Sequence, residues 1–474
     1  MSSVLIHHIG LLVGVRAQSH LLSGSALGEL PCLENAWLLV EDGRIGAYGM
    51  MEEDWRERAG AQSGGSRDQR SAAIPVALRE IDAAGATILP CWCDSHTHLV
   101  FAGTREHEFV YKLQGMSYAE IAARGGGILH SARALRAAPE EVLYEQAMQR
   151  LQACMHLGTG AIEIKSGYGL DVESELKMLR VVRRLRETAP IPIRATFLGA
   201  HALPEEYKED RTGYIRLVTE TMLPRIAAEG LADYIDVFCE QGFFTPEETL
   251  SICEAGRSHG LGAKIHANQL HRSGGVQAGV RVGAVSVDHL ETMGDEEIAC
   301  LRGNGRGADP QPFGASSRPS PDATQPFGAS PRPSPDATQP FGASRRPSPR
   351  TIATLLPGAA FFLRMAYPPA RALVENDIPI ALASDYNPGS CPSGNMNLVV
   401  SLASIQMKLL PEEAINAATL NGAYAMGLGE EVGSITEGKR ANLIFMRPLP
   451  SLAYLPYAFG TNCIDKVMIS GEFV

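Results

Sequence analysis

Two histidines one residue apart, His96 and His98, close an apolar run that reads ILPCWCDSHTH. In an extended strand, side chains two positions apart share a face, so both imidazoles can reach one ion. His201, His266, His289 and Asp385 each stand at or near the end of a separate apolar run. Random placement would not gather these groups at strand ends. Neutral imidazoles with one carboxylate suit Zn²⁺ or Fe²⁺ and leave a position for water. Such an ion lowers the pKa of its water toward neutrality and polarises a carbonyl oxygen, which is what amide hydrolysis needs. A carboxylate beside it can take the proton and pass it to the leaving nitrogen. Asp94, two residues before His96, is expected to support the pair from behind. Other chemistries lack their residues. The three glycines at 125–127 fit neither GxGxxG nor GxxxxGK[ST], no GxSxG elbow is present, and Cys391 has no base partner. The spacing of Cys91 and Cys93 is not that of a redox pair or a zinc knuckle.

Such groups need a frame that collects strand ends. Short apolar runs alternate with helix-like stretches through the centre of the chain. After the run ending at His98 come AIEIKS (161–166), IRATFLGAH (193–201), YIDVFCE (234–240), AKIHANQ (263–269), VSVDHLE (285–291), TIATLLPG (351–358) and IPIALASD (378–385). Amphipathic stretches such as 173–187 and 295–303 lie between them. Eight strands, nearly all followed by a helix, predict an α/β fold, a (β/α)₈ barrel with catalytic groups at the C-terminal strand ends. Both chain ends instead read as short strands joined by Asp-Gly and Ala-Gly turns, which predicts a small composite β-sandwich. The expected division is 1–88 and 430–474 for the sandwich and 89–429 for the barrel.

One segment, 303–350, holds 11 of the 30 prolines and a 14-residue repeat starting at Gln311, Gln325 and Gln339. Each unit offers one Phe and little else to bury, so a disordered, proline-rich insertion is expected, on the barrel face opposite the active site. The rest is globular in composition, 45% hydrophobic and 20% charged over 474 residues. A net charge of −11 argues against nucleic acid or an anionic membrane as partner. No apolar stretch approaches the ~18 residues of a membrane span, and the first residues read as a strand rather than a signal peptide. Nine scattered cysteines fit reduced thiols in the cytoplasm.

The strings DSHTHLVFAGTREHEF, GGGILHSARALR, EIKSGYGLDVESELKML, TFLGAHALPEEYK, KIHANQL, SVDHLE and ASDYNPGSCPSGNMN together resemble the imidazolonepropionase family of the amidohydrolase superfamily. The similarity covers nearly all of the chain outside the insertion. It implies that His96, His98, His266 and Asp385 hold a single Zn or Fe ion. It further implies substrate contacts at Arg105, Tyr168, His201, Gln269 and Ser390, with Asn387 and Gly389 touching the ring-opened product. The implied small-molecule substrate is 4-imidazolone-5-propanoate, and a homodimer is the assembly the family suggests. Arg105 suits the substrate carboxylate. Without the resemblance, it could equally pair with Glu106 or Glu108. In the expected reaction, His289 polarises the ring carbonyl or holds the water. Asp385 carries the proton as the ring C–N bond opens to N-formimino-L-glutamate. Gln269 occupies a catalytic position where some relatives have Glu. An amide cannot act as a base, so that task falls to Asp385 or His289. Two other readings compete: a cyclic amidase or deaminase with a different substrate, and a non-catalytic scaffold that uses the insertion.

Overall fold

The computed structural model describes residues 3–52, 78–116, 120, 126–303 and 350–474. Five strands open the chain: β1 (Ser3–Val13), β2 (Cys32–Glu41), β3 (Arg44–Met50), β4 (Leu78–Asp82) and β5 (Thr87–Pro90). Eight short strands follow, each buried along almost its whole length. They are β6 (Trp92–Thr97), β7 (Thr159–Lys165), β8 (Ile193–Ala200), β9 (Tyr234–Cys239), β10 (Gly262–Ala267), β11 (Ser286–His289), β12 (Ile352–Leu355) and β13 (Ile380–Leu382). The chain ends with β14 (Leu443–Met446), β15 (Ile464–Ile469) and β16 (Glu472–Phe473).

Strands β6 to β13 run parallel in sequence order. Beyond β13, a parallel bridge between Thr97 and Tyr386 returns the sheet to β6 and closes the barrel. Strands this short and covered on both faces are mostly apolar, which is why the eight runs were legible despite charged residues inside several of them. The helices outside them carry ordinary start signals. Asp171 accepts from the Ser174 amide and caps Val172–Thr188, which buries Leu176, Leu179, Val182 and Leu185. Thr245 and Glu248 form a capping box on Pro246–Ser258.

The two chain ends form one separate sheet in the order β16-β15-β14-β5-β1-β2-β3, with β4 beside β1. It has its own core around Ile6, Ile9, Leu38, Ile88, Leu443 and Phe445. Here the run ILPCWCDSHTH divides. Its first half, β5, pairs with β1 and β14, and only β6 belongs to the barrel. The Cys91 amide donates to the Asn442 carbonyl at 2.9 Å, and the next amide, Trp92, donates to Gly158 at 2.9 Å. Consecutive peptides thus bond to different sheets. Hydropathy cannot show that switch, because both halves are buried.

The repeat segment, 304–349, lies outside the described residues. Its flanks are described: Gly303 ends a helix that follows β11, and Arg350 donates to the Asp377 carbonyl at 2.9 Å, ahead of β13. Both flanks therefore sit toward the N-terminal strand ends, away from the histidines. Among the described residues, no helix is long and apolar enough to cross a membrane.

Candidate metal centre

Four side chains from three parts of the barrel meet at the C-terminal end of its strands. His266 Nε2 lies 3.4 Å from His98 Nε2. Asp385 Oδ1 lies 3.6 Å from His96 Nε2 and 3.7 Å from His98 Nε2. Donors about 2.1 Å from one tetrahedral ion stand about 3.4 Å apart, so these spacings are those of a ligand set. His96 Nε2 is buried without a hydrogen-bond partner, a costly position unless something else takes its lone pair. Burial first, then neighbouring positive groups, keeps His96 and His98 well below the usual imidazole value, so both offer lone pairs at neutral pH. The residues fit the ion that the sequence implies.

His289 faces the same point, with its ring 5.3 Å from that of His266 and 5.6 Å from that of His96. Its Nδ1 lies 3.2 Å from Glu291 Oε1. Burial opposes its charge most strongly, but Glu291, Asp385 and Asp288 together outweigh it and lift His289 to about 9. His201 stacks on His98 at 5.3 Å, and its Nδ1 lies 2.9 Å from the Gly167 carbonyl. A carbonyl only accepts, so Nδ1 carries the proton and Nε2 is left as an acceptor. Burial, with His266 nearby, holds His201 down to about 3 and so neutral. Tyr168 lies 5.8 Å from His98 and 5.4 Å from His201, and burial keeps its hydroxyl protonated.

Asp94 supports His96 through the backbone amide rather than through the imidazole. Its carboxylate accepts from the Ser384 amide at 2.9 Å and the Ser384 hydroxyl at 2.6 Å, so it braces the residue before Asp385. In a parallel barrel the neighbour of a strand-end imidazole comes from another strand. The carboxylate at His96 Nδ1 is Asp288, at 2.6 Å, and the one beside His266 Nδ1 is Asp236, at 3.0 Å. These residues, with Glu163, Lys165 and Lys264, were missed. Their signal was present as charged residues inside runs read only for their apolar content: AIEIKS, YIDVFCE, AKIHANQ and VSVDHLE.

At the rim, Arg105 grips Glu108 with two bonds, Nε at 3.0 Å and Nη2 at 2.6 Å, and both side chains are about nine-tenths buried. Of the two acidic neighbours, Glu108 is its partner, and the pair is inside rather than on the surface. A Cβ added to Gly389 would lie 2.1 Å from Arg105 Nη1, so the loop after Asp385 leaves room for the guanidinium. Within that loop, Asn387 Oδ1 accepts from the amides of Gly389 and Ser390, each at 2.8 Å. Ser390 Oγ donates to Asp385 Oδ2 at 3.1 Å. Asn387, Gly389 and Ser390 thus form a turn that holds the carboxylate. Gln269 is buried three residues after His266, and Glu240 anchors the next amide, Leu270, at 2.8 Å.

The amidohydrolase family profile matches residues 344–474. The imidazolonepropionase of Christiangramia forsetii is 47% identical over 475 aligned positions, covering 100% of both chains. That of Geobacillus thermodenitrificans is 41% identical, over 83% of this chain and 82% of its own. Among solved structures, E. coli guanine deaminase superposes with a TM-score of 0.65 at 13% identity, covering 100% of this chain and 99% of that one. A zinc-bound adenosine deaminase from Xanthomonas campestris gives 0.61 at 16%, covering 100% and 92%. At such identities these two structures speak for the fold alone. The full-length identity goes further: the chain belongs to the imidazolonepropionase family of amidohydrolases.

Proposed function

We propose that this chain hydrolyses the cyclic amide of 4-imidazolone-5-propanoate to N-formimino-L-glutamate, the imidazolonepropionase step of histidine degradation. The observation that carries the reading is the convergence of His96, His98, His266 and Asp385 on one point, in a chain related to imidazolonepropionases along its whole length. These four residues would hold one Zn²⁺ or Fe ion per chain. The bound ion supplies Lewis acidity, which makes a water nucleophilic near neutral pH and polarises a carbonyl.

The protein's own groups do the rest. Arg105, with Nη1 toward Gly389, receives the propanoate carboxylate, and Tyr168 donates its hydroxyl to the substrate. His201 accepts a ring N–H at Nε2. His289, kept protonated by Glu291, donates from Nε2 to the ring carbonyl oxygen as negative charge develops there. Asp385 takes the proton of the attacking water and delivers it to the departing ring nitrogen, while Ser390 steadies its other oxygen. Gln269 orients substrate by hydrogen bonding and moves no proton. The nine free thiols support a cytoplasmic location. A homodimer is the assembly proposed.

The test is a metal assay on purified protein paired with turnover followed by ring absorbance. About one Zn or Fe per chain with loss of the ring chromophore is the expected result. Metal without turnover would return the substrate to other cyclic amides, and neither metal nor turnover would leave the scaffold.

A further inference from the structure

Beneath the metal-facing imidazoles lies a fully buried set of two lysines and three carboxylates. Lys165 Nζ lies 2.6 Å from Glu163 Oε1, 2.8 Å from Asp236 Oδ2 and 3.5 Å from Asp288 Oδ2. Lys264 Nζ bonds Glu163 Oε2 and donates to the Ser95 carbonyl at 3.2 Å. Every one of these five side chains is 0% exposed. Burying five formal charges is costly, and replacement by apolar residues of similar shape is often neutral or stabilising, so stability alone is a weak reason for the set.

The individual oxygens point to a reason. The Asp288 oxygen that faces Lys165 is the one 2.6 Å from His96 Nδ1. The Asp236 oxygen that faces Lys165 is the one 3.0 Å from His266 Nδ1. Asp236 also accepts the His266 backbone amide at 3.1 Å through its other oxygen. One ammonium on β7 therefore ties together two carboxylates from β9 and β11, and each carboxylate stands behind a different imidazole. At His96 the carboxylate bonds Nδ1 and so leaves Nε2 for the metal, whereas Asp236 lies close to His266 Nδ1 without hydrogen-bonding alignment and holds that residue through its backbone amide. Lys165 itself is surrounded by three carboxylates and is no metal donor.

We propose that Lys165 is a positioning residue for the metal centre. It locks Asp288 behind the His96 ring and Asp236 on the His266 backbone amide, so that both imidazoles are held toward the ion. The inference rests on the ligand set proposed above and adds a residue outside it.

Electrostatics and positioning predict opposite signs here, which makes the test sharp. Removing a nearby positive charge should tighten cation binding by Coulomb attraction. Removing a positioning group should weaken it, by about 10–100-fold for such supporting partners. Metal affinity by chelator competition, and the visible spectrum of the Co²⁺-loaded protein, are measured for wild type, Lys165→Met and Lys264→Met. Lys264 is the control, because it shares the burial and Glu163 but does not reach Asp236 or Asp288. The expected result is weaker binding and an altered Co²⁺ spectrum for Lys165→Met, with a clearly smaller change for Lys264→Met. Unchanged or tighter binding in Lys165→Met, or an equal loss in both variants, overturns the proposal. If Lys165→Met does not fold, Lys165→Gln, which also removes the positive charge, decides by the same readouts. A loss of affinity near 10-fold in that variant supports the linkage, and unchanged or tighter binding overturns it. A wild type that binds no metal at all would instead overturn the ligand set, and the inference with it.

Discussion

The backbone amide of Asp385 donates to the carbonyl of His96 at 3.0 Å, while the side chains of the same two residues stand 3.6 Å apart at Oδ1 and Nε2. The seam that closes the eighth strand position onto the first is thus also where the proposed metal ligands meet. The left-handed backbone at Asp385, φ 56°, turns the carboxylate inward at that seam. Such strain in a residue other than glycine persists only where its surroundings enforce it. Here the Ser384 bonds to Asp94 and the Asn387 turn do so.

Because the seam bond uses main-chain atoms, Asp385→Asn should keep the fold while losing the chemistry. The expected result is a kcat lower by about 10²–10⁴-fold, with reduced metal content and an unchanged circular dichroism spectrum. Turnover within a few-fold of wild type would remove Asp385 from the proton path.

Arg105 and Glu108 make a separable pair. Arg105→Ala should raise KM by about 10–100-fold with a small change in kcat, since a charged hydrogen bond contributes about 1.5–3 kcal/mol. Gly389→Ala should act in the same direction by crowding Nη1. Glu108→Gln, which weakens the competing partner, should not raise KM to that extent. Steady-state kinetics on the three variants check this, and an Arg105→Ala enzyme with unchanged KM would point to a different substrate.

The buried imidazoles also predict a pH dependence of stability. His201 is held down to about 3, and His96 and His98 lie well below 6.5 in the fold. The unfolded chain protonates these rings near 6.5, so below that pH it binds protons that the fold refuses. Their contribution is therefore fully present above about 6.5 and is lost as the pH falls below it, for His201 toward about 3. His289, raised to about 9, has the opposite sign: its contribution is present below 6.5 and is lost as the pH rises through 9. For chelator-treated protein, the urea midpoint should drop between pH 7 and pH 5. His201→Asn should flatten that drop, and an identical slope in the variant would show that His201 is not held neutral.

Replacing 304–349 by a short glycine-serine linker should leave kcat and KM nearly unchanged. The two flanks, Gly303 and Arg350, lie at the barrel end away from the histidines, and loop closure depends only weakly on length. A ten-fold loss of activity would tie the segment to the reaction.

Most of the barrel and the strand-end histidines and aspartate could be read along the chain, while the choice of His96, His98, His266 and Asp385 among them came from the resemblance. Eight doubly buried strands leave mostly apolar runs, and histidines and an aspartate punctuate their C-terminal ends, so local order along the chain carries both signals. His266 and His289 fell on the fifth and sixth strands as the run count implies. The support behind those donors could not be read the same way. Asp94 was assigned to His96 by closeness in sequence. Asp288 holds that position from 192 residues away, because β6 and β11 meet only across the closed barrel. The split between β5 and β6 was hidden for a related reason: burial looks the same in hydropathy whichever sheet provides it. Residue type and spacing determined what chemistry this protein could perform. Only the tertiary structure decided which carboxylate stands behind which imidazole, because that depends on distances across the barrel and not along the chain.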